Sequence, residues 1–144
     1  MALIPFSIEH IGAMSIKDDA SGTMARPEMG PALEWLRASR NGKTLVSADG
    51  KTILGILGVV PVLPSVCEVF VIATKDQLAH PHTFARAVKK ELCTLATKYR
   101  RIQATAKDDA FHSRWLSWLG FEREGVLKQF GLDGEDMVMW GLTK

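Results

Sequence analysis

Residues 107–140, KDDAFHSRWLSWLGFEREGVLKQFGLDGEDMVMW, constrain the fold more than any other stretch of the chain. They read as a short amphipathic helix that stops at Leu119-Gly120-Phe121, followed by a strand, a Gly-rich turn and a second strand. Asp109 stands where an N-cap is wanted, with a side-chain oxygen for the orphan N–H groups of the first helical turn.

At 144 residues the chain is one domain by length, residues 1–144, and large enough for a core without staples. Its formal net charge is only +2, so no global field calls for nucleic acid or an acidic membrane as partner. The longest apolar run, residues 53–63, is too short to span a bilayer. The first residues, MALIPFSIEH, lack the basic and long apolar regions of a secretory signal, so a cytoplasmic location is expected. Cys67 and Cys93 are too few for a disulfide framework and are expected to be reduced and buried.

Residues 3–8 suit an edge strand because of Pro5. Helices are predicted over 8–16, with Ser7 as N-cap, and over 27–39. Asp49-Gly50 between the β-rich runs 44–48 and 52–62 predicts a hairpin. Residues 66–73 are apolar almost throughout, as expected of a central strand covered on both faces. The strongest helix covers 82–99, with Phe84, Val88, Leu92, Leu95 and Tyr99 on one face and Arg86, Lys90 and Lys98 on the other. A strand at 101–106 precedes the terminal unit. The order β-α-α-β-β-β-α-β-α-β-β predicts an α+β domain with helices on both faces of a mixed sheet.

This order, the Asp49-Gly50 hairpin, the strand and long helix at 66–99, and the Leu119-Gly120-Phe121 stop with Glu124-Gly125 after it resemble the GNAT N-acetyltransferase family. The resemblance covers essentially the whole chain. Within the family, His112-Ser113-Arg114-Trp115-Leu116 and His80-Pro81-His82-Thr83-Phe84 look most like small acetyltransferase-like proteins of tailed bacteriophages. The resemblance implies the acyl-CoA N-acyltransferase fold, with acetyl-CoA as co-substrate and an amine as acceptor, a host protein among the candidates.

In that family the backbone of the fourth strand, here 69–73 with Val71, Ile72 and Ala73 nearest the cofactor, pairs with the pantetheine arm. The following loop wraps the pyrophosphate at a helix start. The family pattern there is rich in glycine and opens on Arg or Gln. This chain has Leu78-Ala79-His80-Pro81-His82-Thr83 instead, with no glycine. The resemblance therefore assigns the cradle to His80, His82, Thr83 and the N–H of Phe84, with Asp109 at the start of the last helix. Lys75 and Arg86 add positive charge nearby.

Amine acetylation needs a base, an oxyanion donor and an acid for the departing thiolate. Glu68, the sole carboxylate inside the run 66–73, is the base candidate; its plainer reading is a carboxylate paired with a neighbouring Arg or Lys. The N–H of Val71 or Ile72 is the oxyanion candidate. Where active relatives carry a Tyr, this chain has Leu116, and His112, one turn earlier on the same face, is the available acid. His112 reads equally as a partly buried helix residue. His80 and His82 lack the further ligands of a zinc site. Phe111, Trp115 and Trp118 at helical spacing are expected in the core. The missing Tyr and glycines leave a second expectation open, a GNAT-fold protein with blunted catalysis that binds a host enzyme or acts in a virion.

Overall fold

The computed structural model describes residues 2–7, 9, 10, 39, 41–73 and 81–143. The helices predicted over 8–16 and 27–39 lie outside the described residues, apart from 9, 10 and 39, as do Lys75 and His80. Seven strands form one sheet: β1 (Ala2–Pro5), β2 (Lys43–Val46), β3 (Ile53–Leu63), β4 (Val66–Ala73), β5 (Arg101–Lys107), β6 (Glu122–Leu127) and β7 (Met137–Thr143). Their order is β1-β2-β3-β4-β5-β7-β6. Every neighbouring pair is antiparallel except β4 and β5, which are parallel and joined by helix α1 (Pro81–Leu95). A parallel pair cannot be closed by a tight turn, so the helical crossover is a geometric necessity. Helix α2 (Ala110–Leu119) follows β5.

The Asp49 turn forms as expected: its carboxylate accepts from Lys51 N at 3.0 Å and from Ser47 Oγ at 2.6 Å. β1 is an edge strand, the place where Pro5 costs no ladder bond. β4 occupies the centre of the sheet. Its Cys67 and Val69 face the main core, and its Ile72 faces a second cluster with Ile56 on the opposite side.

The main core is built by helix burial on one sheet face. Helix α1 contributes Phe84, Val88, Leu92 and Leu95, and α2 contributes Leu116 and Leu119, over Leu57, Val59, Ile102, Val138 and Trp140. Each such side chain stabilises the fold by about 2 kcal/mol. Tyr99 joins this core from beyond the end of α1, which stops at Leu95 rather than at 99.

Three expectations need correction. Cys93 is exposed on α1, while Cys67 is buried and desolvation pushes its thiol up to about 11. Trp118 and Phe111 are exposed, and of the predicted aromatic trio Trp115 alone packs against the core. Ten residues of helix bury only a narrow stripe, and Leu116 and Leu119 occupy it. Trp118 instead carries Lys89 over its ring, 4.3 Å from Nζ to centroid, with the same ammonium donating to Trp118 O at 3.0 Å. Among the described residues no helix is long and apolar enough to cross a membrane.

Gly58 of β3 lies opposite Phe70 of β4, whose ring covers the space a side chain at Gly58 would fill. Gly125 in β6 has open space around it. Gly58→Ala should therefore destabilise the protein by about 1–3 kcal/mol, and Gly125→Ala should stay within about 0.5 kcal/mol of the parent, both by urea unfolding. Equal losses in the two variants would contradict this packing.

Candidate active site

The parallel ladder of β4 with β5 is short. It runs through Val66↔Arg101, Cys67↔Ile102 and Glu68↔Gln103, and there it ends. β4 continues to Ala73, still paired to β3 on its other side, and β5 continues to Lys107, still paired to β7. The two strands thus part after Glu68 and open a cleft at their carboxyl ends. Helix α2 begins just beyond the end of β5, and the first turn of α1 lies by the end of β4, where Phe84 packs against Gly55, the register partner of Ala73. In open α/β sheets such a crevice is the preferred place for a ligand.

At the α1 end, Pro81 opens the helix, where its missing N–H costs nothing. The first turn itself carries no acid to neutralise its positive dipole end. His82 and Thr83 are exposed there. The Phe84 side chain turns into the core against Gly55, which leaves only its backbone for the cradle role.

At the α2 end, Asp109 is the N-cap, as its position in the sequence suggests. Its Oδ1 accepts from His112 N at 2.8 Å, and the His112 ring nitrogen Nδ1 lies 2.8 and 2.9 Å from the two carboxylate oxygens. The backbone bond from His112, followed by the His112 ring, holds the Asp109 carboxyl below the usual carboxylate range. Asp108 beside it is bound by Arg123 of β6 at 2.9 Å, which ties the start of α2 to the sheet. The far end of α2 closes on Gly120 in the left-handed region, φ 103°, with Phe121 N donating to Leu116 O at 3.0 Å. The helix is thus fixed at both ends, and His112 is 35% exposed in its first turn.

Glu68 is half-buried on the sheet face opposite Cys67 and Val69. Among the described residues its partner is neither Arg nor Lys: Gln103 Nε2 donates to its Oε1 at 3.1 Å. Among the described residues no hydrogen bond joins Glu68 to His112. Val71 and Ile72 lie on the parted segment of β4, Val71 against the main core and Ile72 in the second cluster. Leu116 is buried in the main core, so the helix position where the family pattern places a Tyr here serves packing.

The resemblance did not identify Gln103, Arg101 or Glu124. The signal for Arg101 and Gln103 was the period-two alternation of β5, with Arg101, Gln103 and Thr105 between the buried Ile102, Ala104 and Ala106; Glu124 on β6 had none of this kind.

Folding depresses the pKa of Asp109, so its stabilisation is present above its unfolded value of about 4 and is lost as pH falls through the lowered value. Asp109→Ala should cost about 1 kcal/mol at neutral pH, and clearly less near pH 3. Thermal unfolding at the two pH values reads the difference, and a pH-independent loss would contradict the capping role.

No family model matches the sequence, and no curated protein matches it. The likeness is in three dimensions. An acetyltransferase of the GNAT family from Bacillus anthracis superposes with a TM-score of 0.71 at 14% identity, over 98% of this chain and 93% of that one. Ard1 from Thermoplasma volcanium gives 0.79 at 10% identity, over 99% and 96%. A Bacillus subtilis acetyltransferase solved in complex with CoA gives 0.71 at 16% identity, over 99% and 97%. Agreement over nearly the full length of each chain shows that this chain has the GNAT acyl-CoA N-acyltransferase fold.

Proposed function

We propose that the protein is an acetyl-CoA-dependent N-acetyltransferase. The observation that carries this reading is the end of the β4–β5 ladder at Glu68 and Gln103, which opens a cleft in the fold of a neighbour solved with CoA. In this reading the backbone of Val71, Ile72 and Ala73 pairs with the pantetheine arm. The first turn of α1, with His82, Thr83 and the N–H of Phe84, takes the pyrophosphate, helped by the helix dipole of a first turn without acid. His80, outside the described residues, would add charge.

The acceptor ammonium loses a proton to Glu68, directly or through water. The neutral amine attacks the thioester carbonyl, whose oxygen takes negative charge and is stabilised by the N–H of Val71 or Ile72. The C–N bond forms, the C–S bond breaks, the nitrogen gives up its second proton to water, and the thiolate takes a proton. His112 is the candidate donor: Asp109 engages Nδ1 and leaves Nε2 for that proton. Asp109 acts in this scheme by fixing the imidazole and the helix start. The phage resemblance of the sequence adds a narrower proposal, a host-protein amine as the acceptor. The burial of Leu116 favours a second reading, in which catalysis is blunted and the fold serves to bind a host protein or a virion component.

Calorimetry with acetyl-CoA separates the two. Saturable micromolar binding, weakened at least tenfold by Thr83→Pro at the helix start, is expected of the enzyme. Absence of binding at millimolar acetyl-CoA would end that reading. With binding in hand, Glu68→Gln should lower thiol release in the presence of lysine-bearing peptides or polyamines by 100-fold or more, in line with the usual worth of a positioned base, about 10²–10⁴. Unchanged turnover would remove Glu68 from the mechanism.

A further inference from the structure

Glu68 and Gln103 are the last register pair before β4 and β5 part, and their side chains meet on one sheet face. Gln103 is itself held. Arg101, two residues earlier on the same face of β5, donates Nε–H to Gln103 Oε1 at 3.0 Å. An arginine only donates and a carboxylate only accepts, so the amide has a single workable orientation: oxygen toward Arg101, NH₂ toward Glu68. Arg101 is in turn gripped by Glu124 through two bonds, 2.8 Å from Nη1 and 2.6 Å from Nη2. The guanidinium keeps the Glu124 carboxyl below the usual range, so the pair stays charged.

Two features of the sheet make this chain of bonds possible. Arg101 is on β5 and Glu124 on β6, with β7 between them. The β7 residue opposite Gln103 and Glu122 is Gly141, and a side chain there would collide with the Glu124 carboxylate and stand 2.8 Å from Arg101 Nη1. The β6–β7 register also shifts between Arg123 and Gly125, which makes Glu124 the extra residue of a bulge. Bulges re-aim side chains, and a strand-interior glycine marks a close approach. Both irregularities converge on the Arg101–Glu124 bridge.

We infer that Gln103, held in one amide orientation by Arg101 and Glu124, is a positioning residue that fixes the Glu68 carboxylate at the mouth of the cleft. The inference rests on the reading of Glu68 as the base, and it adds what sets that base in place. Gln103 takes Oε1 alone, which leaves Oε2 without a hydrogen-bond partner among the described residues and turned over to the acceptor.

The first test is independent of turnover. The side-chain amide ¹⁵N–¹H pair of Gln103, assigned through Gln103→Leu, should shift in Glu68→Ala and again in Arg101→Met. A pair unmoved in both would overturn the inference. The second test is kinetic, with acetyl-CoA and a lysine-bearing peptide. Gln103→Leu should lower kcat tenfold or more, up to the roughly 10²-fold that a misplacement of about 1 Å can cost, with KM for acetyl-CoA within twofold, and should add no further loss in a Glu68→Gln background. An equal loss in both backgrounds would show that Gln103 does not act through Glu68. If Glu68→Gln keeps full turnover, the base assignment fails, and the amide resonances alone decide whether the carboxylate is held as described.

Discussion

The three-pair limit of the β4–β5 ladder is the constraint on which the remaining architecture depends. A parallel pair in a mixed sheet needs a helical crossover, and that crossover is α1. Because both strands run the same way, the helices that follow them start at the same edge. Because the strands part after Glu68 and Gln103, that edge opens as a cleft. The outer strands hold the divergence open: β3 pairs with β4 as far as Gly55↔Ala73, and β7 pairs with β5 as far as Lys107↔Met137.

The two helix starts are treated differently by the sequence. At α2 the orphan N–H groups are met by Asp109, and the neighbouring Asp108 is anchored to β6 through Arg123. At α1 there is a proline and no acid in the first turn. An acid there would compete with an anion for the same donors, and its absence suits a helix start reserved for one. On the opposite face of the sheet, Glu68 is set by a line of side chains that crosses four strands, from β4 through β5 and over the gap at Gly141 to β6.

What could be read from the sequence was local. The strand 66–73 is found at those residues, the Asp49 turn and the Asp109 cap form as their chemistry requires, and Gly120 takes the left-handed conformation that ends α2. Each of these rests on one residue and its immediate neighbours. The misreadings came from burial, which depends on what lies across the helix. Phe111 and Trp118 have core-type side chains but sit outside the stripe that Leu116 and Leu119 fill, and Cys93 lies on the exposed face of α1. Glu68 stood out as a lone carboxylate in an apolar strand. Its connection to Gln103, Arg101 and Glu124 did not, because those contacts join residues up to 35 positions apart and depend on a bulge and a glycine that only the sheet register aligns.

In the proposed enzyme the parted segment of β4, rather than the cores on either side of it, receives the acyl-CoA chain. Backbone hydrogen exchange with and without saturating acetyl-CoA tests this most directly. Slower exchange over 71–73 and the first turn of α1, with β5 residues 104–107 unchanged, is the predicted outcome. Protection confined to other strands, or none over 71–73 in protein shown to have bound the ligand, would contradict it.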